Sequence, residues 1–330
     1  MALSDSNISL QDFEEPAEAK NRIVIGFVNN MPDAAIRSSE RQFRAMLQAE
    51  ARDVEVVFRG FSCRAIPRSD IARTTFLKPY CDVDGLWNSP IDGLIVTGTE
   101  PRADKLTNEL CWPLLSRLTD WAEQNTISTI WSCLAAHAAV FRLSEVARRP
   151  LPKKMSGLFE CSLARDHPLT VGLPQSWLNP HSRCNDLPEA ELLEKGFEPL
   201  ATLSVGLDTF ILQKKSLFVF FQGHPEYDPE SLLLEYIRDV KRYIEGQRET
   251  YPDPPVGYFD QQTSEQLEEL RQQAFQKRDV ESLNAVTRLI QGYKVENAWR
   301  TPAMTFYRNW LNYLANEKAK REGQRSAIFN

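Results

Sequence analysis

The sequence predicts an α/β protein: a mainly parallel sheet with helices on both faces, three layers in all. Three observations carry this. Short β-branched runs alternate with longer segments of helical period, and strands separated by helices pair in parallel through crossovers. One such run passes without a break into an Ala-rich helix start at Cys133. The composition, 42% hydrophobic and 25% charged, is that of an ordinary globular chain.

The elements follow in order. Residues 22–29 (RIVIGFVN) form an apolar, β-branched run bounded by polar residues, the mark of a buried strand. Residues 38–51 read as a helix with Phe43, Met46 and Leu47 on one face. Residues 54–58 (VEVVF) and 91–96 (IDGLIV) are further strands, the latter ending in Thr97-Gly98-Thr99. Residues 108–124 read as a helix in which Pro113 must lie in the first turn or cause a kink. Residues 128–132 (STIWS) lead into Cys133, and 210–213 with 217–221 predict a hairpin around Lys214-Lys215. A helix is expected over 229–246, a Pro-rich loop over 251–258, a polar helical hairpin over 265–290 with Asp279 near its corner, and a closing helix over 302–320. The domain reading is a flexible segment 1–21, a main domain 22–260, a helical insertion 261–298, and a C-terminal helix within 299–330 that packs back on the main domain.

Charge and cysteine use narrow the class. With 39 Lys+Arg against 45 Asp+Glu the formal net charge is -6, which lacks the basic excess of a nucleic-acid binder. No apolar run reaches the roughly 18 residues of a membrane span. The start of the chain is polar and acidic (Asp5, Glu14, Glu15, Glu18), unlike a secretory signal, so a cytoplasmic location is expected. The six cysteines, Cys63, Cys81, Cys111, Cys133, Cys161 and Cys184, form no CxxC pair. No metal site is expected from such spacing, and the plain reading is reduced thiols, mostly buried as small hydrophobes.

Cys133 is different because of where it falls. A side chain on a strand-to-helix turn stands at the carboxyl end of the sheet, where open α/β folds place ligands. The helix N-terminus offers free N–H groups and partial positive charge, which favour a thiolate and can receive an oxyanion. Gly223-His224-Pro225-Glu226 follows a second apolar run. A His there can take the thiol proton, and Glu226 can fix its tautomer, which completes a nucleophile, base and orienter. The alternatives are an inert thiol and a surface turn. His137 reads as a packed or surface helical residue. His167, before Pro168, shows no partner, and His181 in Pro180-His181-Ser182-Arg183 either lines a site or builds a turn. Arg238 could clamp a substrate carboxylate or simply pair with Glu235 or Asp239. Lys154 alone reads as a surface lysine.

Taken together and in order, NNMPDAAIRSSERQFRAML (29–47), IDGLIVTG (91–98), STIWSCLAAHAA (128–139), KMSGLFE (154–160), PHSR (180–183), GHPEYD (223–228), EYIRD (235–239) and WRTPAMTFYRNWLNY (299–313) resemble the homoserine O-succinyltransferase/O-acetyltransferase family. The resemblance implies a class I glutamine amidotransferase-like fold and a role in methionine biosynthesis. It implies a ping-pong transfer of a succinyl or acetyl group from acyl-CoA to the homoserine hydroxyl. Cys133 would be the acylated nucleophile, His224 the base and Glu226 its partner. Lys154, Ser182 and Arg238 fall on the family's substrate-binding positions, and the amides of Leu134 and Thr99 are expected to form the oxyanion hole. Acyl-CoA is then a co-substrate, with no bound cofactor, and the implied assembly is a homodimer with small-molecule substrates as its partners. Leu134 and His137 stand where the family usually carries Trp and Gln, and Thr99-Glu100 where it carries Ala-Pro. Arg102 stands where Gly or Glu separates succinyl from acetyl donors; its charge would suit a dicarboxylic acyl group. These departures leave open a paralogue acting on another hydroxy-amino acid. A glutamine amidotransferase or hydrolase and a non-catalytic binding protein on the same scaffold are the competing readings.

Overall fold

The structure, a computed structural model, describes residues 22–50 and 54–328; the acidic segment 1–21 lies outside them. The strands are β1 (Arg22–Val28), β2 (Glu55–Ser62), β3 (Cys81–Asp82), β4 (Gly93–Val96), β5 (Ser128–Ser132), β6 (Arg149–Leu163), β7 (Ser176–Asp186), β8 (Glu198–Leu203), β9 (Gly206–Gln213) and β10 (Leu217–Phe221). They form one sheet in the order β3-β2-β1-β4-β5-β10-β9-β8-β6-β7. From β3 to β10 every pairing is parallel, and from β10 onward every pairing is antiparallel. The helices are α1 (Ile36–Glu50), α2 (Trp112–Asn125), α3 (Leu134–Ser144), α4 (Glu189–Glu194), α5 (Ser231–Ile244), α6 (Gln261–Gln276), α7 (Val280–Ile290) and α8 (Arg300–Ile328).

Alternation along the parallel strands sorts side chains between two cores. Ile23, Ile25 and Phe27 of β1, with Val219 and Phe221 of β10, pack against α1 and α8 through Phe43, Met46, Tyr307 and Trp310. Leu94, Val96, Trp131, Phe218 and Phe220 point the other way, against Leu115 and Leu118 of α2 and the alanines of α3. Strands buried on both faces read as continuous apolar runs, which is why these are evident in the sequence.

Of the antiparallel extension only the β9–β10 hairpin is evident there. β6 opens with RPLPKK, and its register with β7 shifts between Pro150 and Met155. Prolines and charged residues are tolerated there because this part of the ladder is irregular and open to solvent. α2 begins at Trp112, later than the period predicts, with Pro113 in its first turn, where its missing N–H is not needed. β9 begins at Gly206 and α8 at Arg300, both earlier than expected.

A third core lies beside the sheet. Leu232, Tyr236 and Val240 of α5 pack with Leu267 of α6, Val286 and Ile290 of α7, and Tyr251, Tyr258 and Trp299. The Trp299 indole N–H donates to the Tyr227 carbonyl at 2.8 Å, which ties this core to the turn after β10.

Trp310 is fully buried, and its indole N–H donates to Ser128 Oγ at 2.9 Å. Trp310→Ala should therefore cost about 3–5 kcal/mol of unfolding free energy, read as a lowered urea midpoint, because it opens a cavity and strands the Ser128 contact.

Candidate active site

Cys133 follows β5 directly and adopts φ 53°, ψ -119°. This is one of two positive-φ residues other than glycine among the described residues. Such a conformation costs on the order of 1–3 kcal/mol and persists only where its surroundings impose it. Here the Cys133 N–H donates to the Phe221 carbonyl on β10 at 2.9 Å, and its carbonyl accepts from His137 N–H at 3.2 Å, which opens α3. Gly98, in the loop after β4, presses on the same turn. A Cβ there would lie 2.9 Å from Leu134 N, 3.0 Å from Ser132 O and 3.3 Å from Cys133 Cβ. The loop carrying Thr99 and the first amide of α3 thus flank the thiol.

His224 lies just past β10. Its backbone N–H donates to the Pro180 carbonyl at 2.7 Å, and its ring stacks on Tyr227 with centroids 4.2 Å apart. Nδ1 is 2.8 Å from Glu226 Oε1, which leaves Nε2 free to serve the thiol. Burial opposes a charged ring, but the Glu226 carboxylate and the contact with Cys133 outweigh it and raise the His224 pKa well above its ordinary value. Of the three groups chosen from the sequence, the imidazole and carboxylate are buried and the thiol is half-buried.

A second polar cluster adjoins it. In the β6–β7 register Ser156 faces Ser182 and Met155 faces Arg183, which brings Lys154 alongside Ser182. Both reach α5. Lys154 Nζ lies 3.3 Å from Glu235 Oε2 and 2.9 Å from Asp239 Oδ2, and the Ser182 hydroxyl donates to Glu235 Oε2. Lys154 is therefore no free surface lysine. Arg238 donates to Asp239 Oδ1 through Nε at 3.1 Å and Nη2 at 3.0 Å. The Tyr227 hydroxyl donates to Glu235 Oε1 at 2.6 Å, so the residue stacked on His224 also joins the two clusters. Burial pushes the carboxyls of Glu235 and Asp239 up, but Lys154 and Arg238 hold both below the usual range. Sequence reasoning does not select Tyr227, and it reaches Glu235 and Asp239 only as partners of Arg238. The available signal is the one-turn spacing of Glu235, Arg238 and Asp239 on a helix that follows GHPEYD.

Arg102 is not drawn into this cluster. Its side chain is exposed, while its backbone N–H and that of Ala103 donate to the buried Glu109 carboxylate at 3.1 Å, which Arg148 also meets at 3.2 Å. Other expectations change. His167 does have a partner: its Nδ1 accepts from Leu169 N–H at 3.2 Å, capping a short turn. His181 builds no turn; it is a fully buried residue of β7 with Nε2 3.0 Å from Asp208 Oδ1. Cys161 is not without company either, since its thiol lies beside His181 and Asp208, a donor set of the kind that can hold a metal ion. Asp208 already receives Asn179 Nδ2 at 2.7 Å and Thr209 Oγ1 at 2.6 Å, so its charge is met by hydrogen bonds.

The family model described as HTS: Homoserine O-succinyltransferase matches residues 2–321. The chain belongs to this family. It is 43% identical over 296 residues to the homoserine O-succinyltransferase of Rhodopseudomonas palustris, covering 89% of each chain. It is 37% identical over 305 residues to that of Methylorubrum extorquens, covering 92% of this chain and 91% of the relative. Among solved structures it is similar to a glutamine amidotransferase from Methylobacillus Flagellatus, with 15% identity, a TM-score of 0.48, and coverage of 90% of this chain and 96% of that one. As a homoserine O-succinyltransferase family member the chain is an acyltransferase, as the motifs imply. No helix among the described residues is long and apolar enough to cross a membrane.

The depressed carboxyls set a pH dependence. The stability that Glu235 and Asp239 contribute is fully present above their unfolded pKa values, near 4, and is lost as pH falls through the lower folded values. The Glu235→Gln, Asp239→Asn double variant, less stable at neutral pH, should show a shallower fall in urea-unfolding free energy between about pH 5 and 3 than the parent chain.

Proposed function

We propose that this acyltransferase moves a succinyl group from succinyl-CoA to the hydroxyl of L-homoserine through an acyl-enzyme on Cys133. The observation that carries the reading is the strained Cys133 turn beside a buried His224 that Glu226 holds. That arrangement suits a thiolate–imidazolium pair ready to attack a thioester. The names of the relatives supply the acyl group and the acceptor.

In the first half of the cycle the Cys133 thiolate adds to the thioester carbonyl, and the oxyanion meets the Leu134 and Thr99 amides. As the C–S bond to CoA breaks, the His224 imidazolium gives its proton to the departing thiolate. The neutral imidazole next takes the proton of the homoserine hydroxyl, whose oxygen attacks the acyl-enzyme. Collapse releases the ester and restores the thiolate and imidazolium. Arg238 receives the amino-acid carboxylate, Lys154 and Ser182 line its place, and the exposed Arg102 meets the distal carboxylate of the acyl group. Acyl-CoA is the co-substrate, and no bound cofactor takes part.

Mass spectrometry tests the reading. Incubation with succinyl-CoA alone should leave a succinyl adduct on Cys133 that homoserine then removes. No adduct, or one that survives Cys133→Ala, would overturn it. Donor choice is a separate expectation: Arg102→Glu should shift kcat/KM from succinyl-CoA toward acetyl-CoA by about tenfold or more, because like charges then meet in place of opposite ones.

A further inference from the structure

Gln222 is fully buried between Phe221, whose carbonyl holds the Cys133 amide, and Gly223-His224. Its side-chain oxygen accepts from Arg183 Nη1 at 2.9 Å, Leu187 N–H at 3.3 Å and His137 Nε2 at 3.2 Å. Its side-chain nitrogen donates to the Leu207 carbonyl at 2.7 Å. The partners fix the amide's orientation. Arg183 and Leu187 can only donate and the Leu207 carbonyl can only accept, so oxygen and nitrogen cannot be exchanged. They fix a tautomer too: Nε2 of His137 must carry the hydrogen that it gives to the amide oxygen. Burial and the nearby Arg183 push the His137 pKa down to about 4, so this ring is neutral.

Each partner belongs to a different part of the site. His137 lies one turn after Cys133 on α3, and its amide caps the Cys133 carbonyl. Arg183 follows Ser182 on β7. Gln222 itself is two residues before His224 on the same strand exit. We propose that Gln222 is a positioning residue: its buried amide holds α3, β7 and the 222–224 segment in one alignment, so that the Cys133 thiol and His224 stay in contact. A glutamine at position 137 would also end in an N–H donor and could keep the bond to Gln222 in a different shape.

The proposal rests on the acyl-transfer reading for turnover alone; the chemistry of the thiol can be read without it. Gln222→Leu, His137→Leu and His137→Gln are compared by steady-state kinetics, by the pH profile of Cys133 alkylation with iodoacetamide, and by thermal melting. Loss of the amide should lower kcat by about 10- to 100-fold with KM little changed, as for a small misplacement of reacting groups. It should also change the pH profile of alkylation. His137→Leu should act in the same direction and His137→Gln should restore both readouts. A Gln222→Leu enzyme that melts lower but keeps the parental kcat and alkylation profile would overturn the proposal. If that variant does not fold, His137→Leu, which removes one donor from the amide, decides by the same two readouts. Should no acyl-enzyme form on the parent chain, the acyl-transfer reading fails by itself, and the alkylation profile still decides whether Gln222 positions the thiol.

Discussion

Parallel pairing of β5 with β10, with Ser132 opposite Phe221, is the constraint on which the site depends. It sets two strand exits side by side at the carboxyl edge of the sheet. The Cys133 amide continues the ladder by one bond to the Phe221 carbonyl before the chain turns into α3, and His224 emerges three residues after Phe221. A shift of one residue in that register would turn the alternating Ile130, Trp131, Val219 and Phe220 to the wrong faces. Both cores therefore resist it, and the alignment of thiol and imidazole is a by-product of packing that the whole sheet enforces. The strain at Cys133, on the order of 1–3 kcal/mol, is small beside the burial of those side chains.

The same packing decides which parts of the molecule are legible in the sequence. The parallel half, apart from the two-residue β3, is legible because strands buried on both faces are mainly apolar, and the Cys133 turn because a strand runs straight into a helix. Cys133, His224 and Glu226 follow, since the residue types and their places at strand ends state the chemistry. β6 and β7 do not announce themselves. Lys153 and Lys154 sit at the irregular start of one, while Asn179, His181 and Arg183 of the other are buried polar residues whose partners come from Asp208, Asp186 and Gln222. Polar residues that find one another across distant strands leave no periodic trace. Lys154 and Ser182 can be selected by resemblance alone, and Glu235, which touches both, has no signal beyond its spacing from Arg238.

Within the polar cluster the cations differ in how firmly they are held. The Lys154 side chain is 20% exposed and bridges the half-buried Glu235 and the buried Asp239. Arg238 is 43% exposed and leans on Asp239, with Glu235 at 3.8 Å. Displacing Lys154 would take a cation from the buried Asp239 and the half-buried Glu235 at once, whereas a half-exposed pair is worth about 1 kcal/mol or less. An incoming carboxylate should therefore exchange onto Arg238 and leave the Lys154 bridge intact. Arg238 then acts as the exchangeable ligand and Lys154 as the fixed counter-charge that keeps Glu235 ionised next to Tyr227. In the proposed reaction this division of labour would let one helix face both bind a charged substrate and, through Tyr227, brace the ring of His224.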